Sequence, residues 1–198
     1  MKTLDIYLAA LIAPQRFFGT LAEHKPGMHT PAFFALIGGA ISLTLAFLVH
    51  FGAHGESGRA LFSTLAVLLP LALLFLLACK LAFVHCIATL WGQSGDPGLY
   101  WIGQSLAFVP WFLLLPLALL LRVSGLSGFF ALGFCVIMGF AWRIELIALG
   151  AVYGLRAGRA FLLSILPFAL GFAFAVLALL AFVSLVGGLV FAALGFAL

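Results

Sequence analysis

Charge is scarce in this chain. Nine Lys and Arg and five Asp and Glu make up only 7% of 198 residues, 66% are hydrophobic, and the mean hydropathy is +1.34. A water-soluble fold needs a polar skin around its core, so this composition excludes a soluble globular domain and makes the lipid bilayer the solvent. Cysteine is sparse too. Cys79, Cys86 and Cys135 all lie inside apolar runs and give no disulfide framework. Cys79 and Cys86 stand two helical turns apart, about 10.5 Å of rise, which is too far for two sulfurs to share an ion directly. They read as small buried hydrophobes, and no metal site is expected. Missing as well are a phosphate-cradling Gly-rich loop, GxSxG, HExxH and a haem attachment motif, so the chain carries no enzyme signature and implies no cofactor. The net charge of +4 comes from basic residues scattered singly, without an aromatic-basic stripe, which argues against nucleic acid as a partner.

What fills the chain is apolar sequence of helical length. A hydrocarbon core about 30 Å thick takes about 20 residues of helix. Residues 31–51 meet that requirement without a formal charge, and 60–91 hold only Lys80 and His85 as strongly polar groups. The third run, 100–121, contains Pro110 and Pro116, each of which removes a helical hydrogen bond and predicts a kink or division. The fourth, 129–155, contains Arg143 and Glu145; the fifth, from Ala160 onward, is uncharged and too long for one crossing. Gly187 and Gly188 predict a break there, with 160–186 as the span and an apolar tail that folds back or begins a sixth half-span. Short polar turns join the runs, with no repeat and no linker. The expected fold is therefore all-α, a polytopic transmembrane bundle of about five spans (31–198) preceded by an N-terminal segment (1–30). That segment does not read as a signal peptide, because no small-x-small site follows cleanly and Pro14 interrupts it. LDIYLAALIAPQRFFGTLAEH suits a helix along the membrane interface, bent at Pro14 with Arg16 near the headgroups. Lys2, Arg16, Lys25, Arg156 and Arg159 fall on one side of the spans, against Arg59 and Arg122 on the other, which predicts a cytoplasmic N terminus.

Ionised groups at mid-membrane cost roughly 2.5–3.5 kcal/mol each on insertion scales, so Lys80, Arg143 and Glu145 call for partners. Lys80 and Glu145 both fall near 15 Å from the inner ends of their helices by rise, a depth at which they can pair across the second and fourth spans. Such a pair either fixes helix register or belongs to a polar pathway for an ion or anionic substrate. Arg143, two residues from Glu145, points about 200° away from it and needs a carbonyl cluster, a lipid phosphate or an anion. His85 beside Cys86 is the remaining polar candidate. His50 and His54, at the outer end of the first span, read as interfacial, while His24 and His29 read as solvated. Gly38 with Gly39, and Gly150 with Gly154, form small surfaces on which helices can approach closely. Trp91, Tyr100, Trp101 and Tyr153 near span ends suit the headgroup layer.

APQRFFGTL before the first span, GLYWIGQSLAFVPW in the third and AWRIELIALGAVYGLRAGRAFLLSILP across the last turn resemble the Yip1 family of integral membrane proteins. The likeness covers nearly the whole chain. It implies five spans and a cytoplasmic N terminus, as in bacterial relatives with a short N-terminal region. The long cytosolic segment with which eukaryotic relatives hold prenylated GTPases is absent, so that activity is not implied, and no family site residue maps here. Two functions follow as expectations. The first is a non-enzymatic scaffold or accessory subunit of a membrane assembly in the bacterial inner membrane, whose partners are lipids and other subunits or itself. The second is a small transporter or channel for an ion, anion or lipid, with a polar cavity at Lys80, Arg143 and Glu145.

Overall fold

In the computed structural model, which describes residues 3–51 and 56–195, the chain is helical with no strand among the described residues. The elements are α1 (Thr3–Ile12), α2 (Pro14–Gly19), α3 (Leu21–Phe51), α4 (Glu56–Leu90), α5 (Pro97–Leu106), a 3-10 turn at Val109–Leu113, α6 (Leu114–Val123), α7 (Phe130–Tyr153) and α8 (Ala157–Gly195). Five stretches are long and apolar enough to cross a membrane: Gly27–His50, Pro70–Leu90, Pro97–Val123, Ser127–Tyr153 and Ala157–Ser184. The five-span helical bundle is what the chain forms.

The third stretch is broken, as its prolines require. Pro110 falls in the first turn of the 3-10 segment and Pro116 in the first turn of α6, where the missing N–H would have no intrahelical acceptor in any case. Irregular backbone at membrane depth is tolerated only when protein covers it, and residues 102–111 are all buried. The cover is α3. A Cβ on Gly39 would lie 2.7 Å from the carbonyl oxygen of Phe108, and one on Gly38 would strike the ring of Phe112. Hydrogen at Gly39 lets α3 reach the backbone of the break, and Gly38 leaves room for the Phe112 ring. Ser42 of α3 then accepts a hydrogen bond from the amide of Leu115 at 3.3 Å, so that one of α6's first donors is satisfied from a neighbouring helix.

The expected N-terminal helix is present as α1, and it is docked on the bundle. Ile6, Ala10, Phe17, Phe18 and Leu21 share a buried cluster with Ile102, Leu106, Ile144 and Ala148. The ring of Tyr7 lies 6.1 Å from that of Phe112, and its hydroxyl donates to the carbonyl of Pro31 at 2.8 Å. Leu4, Leu8 and Ile12 form the opposite, exposed face. Asp5, in the first turn, is the one charged residue of α1 and is exposed beside them. Behind α1, α3 begins at Leu21, ahead of Pro31, which lies within the helix.

At the other end, α8 runs on through Gly187 and Gly188 to Gly195 in place of the break expected there. Glycine weakens a helix in water by exposing backbone to a competing solvent, and lipid offers no competitor for those hydrogen bonds. At about 58 Å by rise, α8 exceeds the hydrocarbon core. It meets the bundle through its first turns, where Ala160, Leu163 and Ser164 are buried. The side of α4 that faces the bundle is equally narrow: among its described side chains Lys80, Val84 and Ala88, at a spacing of four, are buried.

Candidate functional site

Lys80 occupies the buried stripe of α4, and Glu145 lies on the inward face of α7 beside Ile144, Ala148 and Leu149. Nζ of Lys80 and Oε1 of Glu145 are 2.5 Å apart. The same oxygen accepts from the hydroxyl of Tyr100 on α5 at 3.2 Å and from that of Ser164 on α8 at 3.3 Å. Ser164 in turn accepts from Nε1 of Trp142 at 2.8 Å, and the ammonium of Lys80 sits 4.7 Å from the centre of the Phe168 ring. One carboxylate thus draws in α4, α5, α7 and α8. Toward the C-terminal ends of α4 and α7 the polar contacts continue: Tyr100 packs edge-on to Tyr153 at 5.8 Å, and Tyr153 Oη lies 3.1 Å from Nδ1 of His85. Asp96 at the start of α5 accepts from the amides of Gly98 and Leu99 at 2.7 and 3.4 Å, fixing the entry of the helix that carries Tyr100.

A bare charge would be expensive here, and the geometry removes the expense by pairing. The two ions compensate each other, two hydroxyls supply further donors to the carboxylate, and an aromatic face takes the exposed side of the ammonium. The arrangement holds a proton-rich and a proton-poor group in fixed register. Among the described residues no group of His, Cys, Asp and Glu is placed to hold a metal.

Arg143 does not join the network. It is exposed on the other side of α7, where with Pro110, Leu113, Val136, Ile137, Gly139 and Phe140 it lines an open groove of about 390 Å³. Helix geometry forces this separation, because two positions along α7 carry the side chain to the opposite face. Gly150 and Gly154 are not an interhelical surface either. Gly154 has φ +63° and caps α7 in the left-handed conformation, while the amides of Gly154 and Leu155 both turn back to the carbonyl of Gly150. The spacing that resembles a packing motif is a helix terminus. Gly38 and Gly39 do mediate close approach, as does Gly103, where a Cβ would come within 2.7 Å of that of Ala148.

His50 stacks on Phe130 at 4.3 Å, His29 is exposed, and His54 lies outside the described residues, as do the side chains of His24, Lys25 and Arg59. The three cysteines, expected as small buried hydrophobes, are exposed. Lipid-facing surface is as apolar as core, so hydropathy alone does not separate the two. Tyr100 and Tyr153, expected among the headgroups, are buried with their hydroxyls turned inward. Trp91 is exposed at the end of α4, as the headgroup reading predicts. Sequence reasoning missed Ser164 and Trp142 as members of the network, and it missed Gln104 and Ser105, whose polar side-chain atoms are buried without a protein partner. A polar dipeptide inside the apolar third run was the available signal.

No family model, curated protein or solved structure matches this chain.

Proposed function

We propose that this chain is a non-enzymatic integral membrane protein, a scaffold or accessory subunit that works through helix–helix contacts, with its N terminus in the cytoplasm of a bacterium. The observation that carries the reading is the closed shell of partners around the buried ion pair. Lys80 and Glu145 spend their charges on each other, and Tyr100 and Ser164 complete the carboxylate's shell. Groups committed in this way hold register, whereas a transport site keeps donors free for cargo. The break in the third stretch supports the same conclusion. Transporters aim the free amides of a half-helix at an anion. Here the amide of Leu114 returns to Trp111, that of Leu115 bonds Ser42, and Pro116 has none. The groove at Arg143 opens on the far side of α7 from the ion pair, so the three charges line no common cavity. The likeness to the Yip1 family lends this reading its five spans and orientation.

The test is flux and folding measured on the same protein. Glu145→Gln should lower thermal stability in detergent while reconstituted vesicles, wild type and variant alike, conduct no anion or proton above protein-free controls. A wild-type flux abolished by Glu145→Gln at unchanged stability would refute the scaffold reading and establish the transporter.

A further inference from the structure

Arg143 is left over when the charges of the bundle are paired. Among the described Lys and Arg of the spans, Lys80 is matched by Glu145; Arg122 and Arg159 stand near span ends, Arg122 donating to the carbonyl of Val49 at 2.7 Å; and Arg143, at mid-span, makes neither an ion pair nor a hydrogen bond. By helical rise it stands about 15 Å from Tyr153 and about 20 Å from Phe130, close to the middle of a bilayer. Headgroup phosphates lie at the surface, about 15 Å from that plane. Helical side chains lean toward the N terminus, which carries the guanidinium over Gly139 and Phe140 and into the groove that Val136, Pro110 and Leu113 wall. Gly139 leaves the floor open: a Cβ there would meet nothing within 4 Å. An open apolar trough with a small residue at its floor and an unpaired cation at mid-depth has the shape and charge to take one more helix with a carboxylate.

A second copy of this chain cannot supply that carboxylate. Its acidic residues are Asp5, Glu23, Glu56, Asp96 and Glu145; Glu145 alone lies within a described span, and Lys80 already holds it. We propose that the Arg143 groove is the docking site for a transmembrane helix of a different protein that carries an Asp or Glu near its midpoint, the carboxylate pairing with Arg143 above Gly139. The inference rests on the accessory-subunit reading and gives that reading a specific contact.

The experiment uses the full chain, donor-labelled at its N terminus, in phosphatidylcholine vesicles with acceptor-labelled Leu/Ala helices of about 20 residues that differ only in a central Glu, Gln or Lys. Energy transfer should show the Glu helix binding about threefold to tenfold tighter than the Gln helix, with the Lys helix weakest. Arg143→Leu and Gly139→Leu should each abolish the preference at unchanged melting temperature, one by removing the charge and the other by filling the floor. Arg143→Lys should keep part of it. Equal binding of the Glu and Gln helices, or a preference that survives Arg143→Leu, overturns the proposal. Loss of the preference on adding phosphatidylglycerol in wild type but not in Arg143→Lys also overturns it, since the groove would then be a lipid site. Flux through the same vesicles separates the two levels: a conducting protein refutes the scaffold reading, whereas silent vesicles with no helix preference refute the docking site alone.

Discussion

The ion pair at Lys80 and Glu145 makes an asymmetric prediction. In Glu145→Met the ammonium of Lys80, with its side chain 7% exposed, keeps only the Phe168 ring at 4.7 Å and loses its anion. Breaking a buried pair from one side costs about 3–5 kcal/mol, and the ring, worth about 0.5–2 kcal/mol, is already counted in the native state. In Lys80→Met the carboxylate retains the hydroxyl donors of Tyr100 and Ser164, and hydrogen bonds to a charged group are worth about 1.5–3 kcal/mol each, so the loss should be smaller, about 2–3 kcal/mol. Replacing both residues with Met exchanges the pair for apolar groups of similar length and should fall within about 2 kcal/mol of wild type, the remaining cost being the Tyr100 hydroxyl left without its acceptor. The coupling between the sites would then be about 3 kcal/mol or more. Reversible unfolding in mixed maltoside and dodecyl sulfate micelles, followed by tryptophan fluorescence, measures all four corners of the cycle. If the double variant is as unstable as the sum of the singles, the side chains are independent and the register argument is wrong.

Other perturbations test the packing. Gly39→Leu drives a side chain against backbone at Phe108 and should destabilise by about 1–3 kcal/mol or more, whereas Gly125→Ala, at a left-handed turn with open space around it, should cost about 1 kcal/mol; melting in detergent distinguishes them. Phe18→Ala empties a site shared by α2 and α7 and should cost about 3–5 kcal/mol by the same measurement, although an N-terminal segment merely resting on the membrane would lose almost nothing.

Span count and the matching height of Lys80 and Glu145 in the bundle were legible because each depends on distance along the chain. A helix advances at a fixed rise, so placing Lys80 and Glu145 at matching depths needed only arithmetic. Which side chains face one another depends on how helices rotate about their axes, and in a bilayer both faces of a helix are apolar, so the usual pattern is erased. Tyr100 shows the effect: an aromatic hydroxyl near a span end reads as a headgroup residue, yet rotation of α5 turns it onto Glu145. Gly150 and Gly154 illustrate another ambiguity, because a spacing of four suits a packing face and a helix terminus alike, and the conformation at Gly154 decides. The run through Gly187 and Gly188 was misjudged by applying water's penalty for glycine inside lipid.

The division of the third stretch sets an order of events during biosynthesis. α5 and α6 are ten residues each, about 15 Å by rise, and neither alone crosses the hydrocarbon. The amide of Leu115 finds its acceptor on Ser42, and the turn at Val109–Leu113 finds its cover at Gly38 and Gly39, all on α3. The segment therefore cannot settle as an autonomous helix and then diffuse into place. α3 comes first in the chain and supplies both, so this span completes its hydrogen bonding and covers its break only on packing against α3, which acts as its template.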